Sequence, residues 1–144
     1  MKKEFVMRGQ TVSGQSEVLN FSGFKPGMAY KMTEFSLYPS VPAGNETLLG
    51  TVTAGKTSMA PNAVDFNDEG LIASSMDASA NVNDTQQKTV INDTFLITQN
   101  LILTVMETIT SQAINWQCRF MPVKMSGPEE AVTNYKQFMI SDGS

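Results

Sequence analysis

The sequence predicts an all-β chain: an antiparallel β-sandwich of jelly-roll type with one short C-terminal helix, in a single domain spanning 1–144. Three observations predict it. From Asn100 to Val123 apolar and polar residues alternate with period two through two long runs, the signature of strands with one face in a core. Short apolar segments recur along the chain between Gly- and Pro-containing loops, the spacing of a sandwich. The charged fraction is 17%, below the ~25% of ordinary domains; Thr, Ser, Asn and Gln take up the difference, and a Thr-rich neutral surface suits solvated strands.

In chain order, residues 4–12 and 16–22 read as two short strands, a hairpin turning at Ser13-Gly14. Phe24-Lys25-Pro26-Gly27 is a turn. Residues 28–38 form a longer strand; Met28, Tyr30 and Met32 share a face, and Phe35 and Leu37 continue one residue out of phase, which predicts a β-bulge at Thr33-Glu34. A loop with two prolines leads to a strand over 46–53, then to irregular chain over 54–64 and a polar turn at Asp65–Gly70. Leu71–Met76 is a short strand, and the polar run Asp77–Lys88 reads as a long loop. Thr89–Ile97 gives one or two strands, broken near Asn92-Asp93.

The Asn100–Val123 stretch reads as a hairpin at the centre of the fold. Its first strand, with Leu101, Leu103 and Val105 on one face and Ile102 and Met106 on the other, is apolar enough to be interior to its sheet. Its second alternates Ile114, Trp116, Cys118 and Phe120 with Asn115, Gln117 and Arg119. Ser126 and Glu129 then form a capping box with Pro128 in the first turn, and Ala131, Val132, Tyr135, Phe138 and Met139 recur at helical spacing, predicting a helix over about 128–140.

The totals exclude several function classes. A net charge of −4 without a dense Lys/Arg cluster argues against nucleic-acid binding. No run suits a membrane span, and Arg8 to Thr11 break the apolar core a signal peptide needs. The single cysteine, Cys118, permits no intrachain disulfide and points to folding in a reducing cytoplasm; its place beside Trp116 makes it a small buried hydrophobe. The four sequons, at Asn20, Asn45, Asn83 and Asn92, carry no weight without secretion.

No catalytic signature emerges, and no cofactor or metal ligand set is expected. The chain has no histidine, the commonest general base and metal ligand. Glu34 and Glu107 are the only acids inside strong strand patterns, and an edge-protecting or solvated role is the default for such residues. A carboxylate hydrolase would need two acids about 5–10 Å apart across a cleft. Gly50 to Thr57 formally matches a phosphate loop, but Pro61 follows where a helix is required. Asp65-x-Asn67-x-Glu69 resembles the start of a calcium loop, yet its twelfth position is Met76 rather than Glu; a turn is the favoured reading, a weak calcium site the alternative. The ten methionines read as core filler, some of them adaptable contacts.

The segments Phe35-Ser36-Leu37-Tyr38-Pro39-Ser40, Leu49-Gly50-Thr51-Val52-Thr53 and Asp65-Phe66-Asn67, with the closing strand pair and polar C-terminal helix, resemble small jelly-roll structural proteins of marine phage particles. The resemblance covers most of the chain by arrangement, through short motifs. It implies a capsid-associated, decoration or minor virion protein, located in the virion, self-assembling as a homo-oligomer, partnered by a major capsid or other virion protein, and not an enzyme. The family has no catalytic motif, so no functional residue is carried over. Terminal elements exchange easily between subunits, which makes Phe5, Met7, Tyr135, Phe138 and Met139 the expected subunit contacts. The alternative is a carbohydrate- or receptor-binding module, whose candidate aromatics in strands are Tyr30, Tyr38 and Trp116.

Overall fold

A computed structural model describes residues 4–21, 28–42, 46–55, 58–81, 84–109 and 111–125, side chains of 79–81 and 84–86 excepted. Among the described residues eight strands follow one another: β1 (Phe5–Thr11), β2 (Ser16–Leu19), β3 (Met28–Pro39), β4 (Glu46–Ala54), β5 (Leu71–Asn81), β6 (Asp84–Ile91), β7 (Leu101–Glu107) and β8 (Ile114–Lys124). They form two antiparallel sheets, one of three strands in the order β1-β8-β3 and one of five in the order β2-β7-β4-β5-β6.

This order is that of a wound ribbon. Fold the chain between β4 and β5, and β4 pairs with β5, β2 with β7 and β1 with β8, all antiparallel. Wrapping such a ribbon around a core makes a jelly roll. The fourth ribbon pair would be β3 with β6. Here β6 ladders onto β5 instead while staying in contact with β3, so β3 is an edge of the three-stranded sheet.

The period-two pattern determines the core. Leu101, Leu103 and Val105 of β7 and Leu48 and Val52 of β4 point inward from one sheet, and Ile114, Trp116, Cys118 and Phe120 of β8 point inward from the other; all are buried. As expected, β7 is interior to its sheet, between β2 and β4. The phase slip in β3 is a bulge: Met32 pairs with Phe120 and Glu34 with Arg119, leaving Thr33 as the extra residue. Phe5, Phe21, Tyr30 and Phe120 cluster at one end of the core with ring centroids 4.9–6.1 Å apart, within the range of favourable edge and offset contacts.

Three local expectations are corrected. β1 and β2 are not a hairpin; Gly14, at φ 85°, turns the chain from the three-stranded sheet into the five-stranded one. Likewise β7 and β8 are not hairpin partners but lie in opposite sheets. A tight hairpin uses a two-residue loop, whereas the six residues between Glu107 and Ile114 suffice to cross the ~10 Å between stacked sheets. The apolar faces of β7 and β8 therefore meet across the core rather than side by side. Finally, Asp77–Lys88 is not a loop: its first residues extend β5 and its last belong to β6, in register from Ser75–Thr89 through Asp77–Gln87 to Ser79–Thr85, with a shift before the Asn81–Asp84 pair. The exposed β6 edge has no buried face along residues 87–90, so the segment lacks the alternation that marks a strand. The helix expected over 128–140 lies outside the described residues.

Candidate functional site

The outer face of the three-stranded sheet carries the polar half of the β8 alternation. Two rungs cross it. In one, Arg8, Gln117 and Ser36 lie side by side on β1, β8 and β3; in the next, Gln10, Asn115 and Tyr38 do. Between them runs the Gly9–Trp116–Leu37 rung, whose side chains belong to the core face. With Gln87 of β6 these residues line a groove of about 760 Å³. Within the rungs Gln10 Nε2 donates to Asn115 Oδ1 at 3.0 Å, and Arg8 donates from Nε (3.0 Å) and from its guanidinium NH₂ to Gln117 Oε1. Tyr38 is 63% exposed at the β3 edge.

Beneath the groove Trp116 is only 7% exposed. Its indole lies over Gly9, where an added Cβ would stand 2.8 Å from Cζ2. Its Nε1–H donates to Thr11 Oγ1 at 2.9 Å, and the Thr11 hydroxyl donates to Glu17 Oε1 at 3.1 Å. This relay ties β8 and β1 to β2 of the other sheet. Trp116 is thus a core residue, while Tyr38 alone of the three candidate aromatics is largely exposed; Tyr30 is half-buried among the phenylalanines.

The loops at one end of the sandwich form a second feature. β1 and β3 both run antiparallel to β8, so the β1–β2, β3–β4 and β7–β8 connections emerge together. They carry Val12, Val41 and Ile109, which are 59%, 67% and 50% exposed. Gln112 anchors the loops, its Oε1 accepting from Ser40 Oγ (3.0 Å) and the Val41 N–H (2.6 Å).

Of the two acids in strong strand patterns, Glu107 departs from expectation and Glu34 does not. Glu34 pairs with Arg119 at 3.4 Å on the three-stranded sheet. Glu107, rather than solvated, is buried on the inner face of the five-stranded sheet, so the two are not brought together. Its Oε1 accepts the N–H groups of Thr47 (3.1 Å) and Ile109 (3.0 Å), and Ser13 Oγ accepts its own N–H at 2.8 Å. It closes strand ends that would otherwise hold unpaired backbone donors. Asp77 lies in the same row through Leu48, with Glu46 nearby along β4; burial, and then the Glu46 charge, raises the Asp77 carboxyl above its ordinary 3.8. Among the described residues no three His, Cys, Asp or Glu side chains are grouped to hold a metal ion.

The motif-like strings have structural explanations. Gly50 is the middle of β4, where a Cβ would meet the Phe35 ring at 3.0 Å and Leu37 methyls at 3.2 Å, so the glycine permits close approach of the sheets; Lys56 and Thr57 lie outside the described residues. In the 65–70 turn Asp65 Oδ1 accepts the Asn67 N–H and Asp68 Oδ1 that of Gly70, both local side-chain turns. Burial pushes the Cys118 thiol up to about 12, keeping it un-ionised and unreactive. Phe5 and Met7 point inward and pack on the core, half-buried; Tyr135, Phe138 and Met139 lie outside the described residues.

No protein-family model, curated protein or solved structure matches the chain.

Proposed function

We propose that this chain is a non-enzymatic structural component of a virion, a capsid-associated, decoration or minor capsid protein that acts by associating with itself and with a shell protein. The observation that carries the reading is the loop end of the sandwich. Single exposed apolar residues are ordinary, but here three loops distant in sequence present Val12, Val41 and Ile109 at the same end, the arrangement of a contact surface. The wound strand order supports it by analogy of fold, since jelly rolls recur in viral shells.

Sedimentation of the purified chain over a wide concentration range tests the reading, alongside peptide analysis of purified particles. The expected result is a concentration-dependent oligomer and stoichiometric incorporation, both abolished when Val12, Val41 and Ile109 are all changed to Asp. A chain that stays monomeric and never co-purifies with particles contradicts it.

A further inference from the structure

We infer that the groove across the outer face of the three-stranded sheet is a binding site for a hydroxyl-rich saccharide, held by the amides of Asn115 and Gln117 and stacked on Tyr38. The inference is independent of the assembly reading, because this face and the loop end are different surfaces.

The two central amides of the groove present donors to it, and the Ser36 and Tyr38 hydroxyls beside them can donate or accept. Asn115 lies between Gln10 and Tyr38 on its rung, and its Oδ1 is taken by Gln10. The planar amide therefore turns its NH₂ toward Tyr38. Gln117 lies between Arg8 and Ser36, and its Oε1 is taken by Arg8, so its NH₂ turns toward Ser36. Two fixed amide donors thus face the same half of the groove, and neither NH₂ has a hydrogen-bond partner among the described residues. The groove-lining residues include no carboxylate. Such a surface takes a ligand whose oxygens can accept from the amides and whose hydroxyls can also donate, at close spacing.

Tyr38 sets the second requirement. Its ring is largely exposed beside those donors. A sugar ring presents both halves of the match, hydroxyl and ring oxygens at its edge and an apolar C–H face for an aromatic ring. A cleft of about 760 Å³ falls in the size range of small-molecule sites, ~300–1,000 Å³. The groups are also held in place before binding: the two rung bonds fix the amides on rigid central strand β8, so little side-chain freedom remains to be lost.

The full-length chain, titrated with neutral gluco- and xylo-oligosaccharides and with acidic oligogalacturonate, tests the site by following backbone and side-chain amide resonances. Saturable shifts at Gln10, Tyr38, Asn115 and Gln117 are expected, with weak affinity, a Kd of about 10 μM to 1 mM. Tyr38→Ala and Asn115→Ala are expected to weaken binding about tenfold or more, a ~1.4 kcal/mol change, with spectra otherwise unchanged; Phe66→Ala, at an exposed aromatic outside the groove, leaves affinity intact. Binding of acidic chains alone supports the site and gives Arg8 the carboxylate; binding of neutral chains supports it with Arg8 retained by Gln117. No saturable shift across the panel, shifts mapping elsewhere, or unweakened variants overturn it. So does a set of groove shifts that follows protein concentration without sugar, which would make the face a contact between copies.

Discussion

Gly9→Ala tests directly how β1 and β8 pack against each other around the Trp116 indole. The new Cβ would stand 2.8 Å from Trp116 Cζ2 and 3.2 Å from Cε2, about 1 Å inside the ~3.5–4.0 Å optimum for carbon pairs. The indole has little room to yield, since its Nε1–H is held by Thr11 Oγ1 at 2.9 Å in a buried site. Overpacking of this kind costs about 1–3 kcal/mol. An indole displaced far enough to lose its acceptor adds about 1–3 kcal/mol for an unpaired buried donor. Against these, alanine in a strand interior gains about 0.5–1 kcal/mol over glycine. With both costs the net loss is about 1–5 kcal/mol, or about 3–17 °C in Tm for a chain of this size. Thermal unfolding followed by circular dichroism and by the fluorescence of the single tryptophan measures it. The deciding comparison is the same change in a Trp116→Leu background, where the ring is gone and Gly9→Ala is expected to cost under about 0.5 kcal/mol or to stabilise. A neutral Gly9→Ala, or an equal cost in both backgrounds, would falsify the account of this contact.

Other consequences follow from buried polar groups. Glu107→Ala leaves the Thr47 and Ile109 N–H groups without their acceptor and is expected to cost about 2–5 kcal/mol in denaturant unfolding, whereas Glu107→Gln, which keeps an oxygen there, costs clearly less; equal losses would contradict the acceptor role. Because the folded protein raises the Asp77 carboxyl above 3.8, the native state holds that proton more tightly than the unfolded chain. Stability thus rises as pH falls through the window just above 3.8 and is reduced at neutral pH. Asp77→Asn is expected to raise the neutral-pH Tm slightly and to remove part of that acid-side gain, and a lower neutral-pH Tm counts against it. Cys118, its thiol raised from 9.0 to about 12, should react with iodoacetamide only as fast as the protein opens, and above pH 9.0 stability should fall as the unfolded thiol ionises first. Rapid labelling of the native protein is the contrary result.

The strands were readable where one face is apolar and the other is not. β8 declares itself through Ile114, Trp116, Cys118 and Phe120, β7 through apolar residues on both faces, and the β3 bulge through a one-residue slip. What periodicity does not encode is which strands become neighbours. A strand with one apolar face buries it equally well beside its sequence neighbour or opposite it, which is why β7 and β8 read as a hairpin. β6 was hidden up to Lys88, with only Thr89–Ile91 read as strand, because an exposed edge strand needs no apolar face. Glu107 was misread because a carboxylate that accepts backbone N–H groups looks, in sequence, like any solvated acid. The groove was half legible: Asn115 and Gln117 mark the polar face of β8, but nothing in the sequence places Arg8 and Tyr38 beside them until the register is known.

That register is what the core, the loop end and the groove all depend on, and cross-strand proton contacts in isotope-labelled protein measure it most directly. The winding described here predicts that the β8 residue Cys118 shows backbone contacts to both Met7 and Phe35, and that Thr104 shows them to both Ser16 and Thr51. A ladder of contacts running directly between β7 and β8 would contradict it.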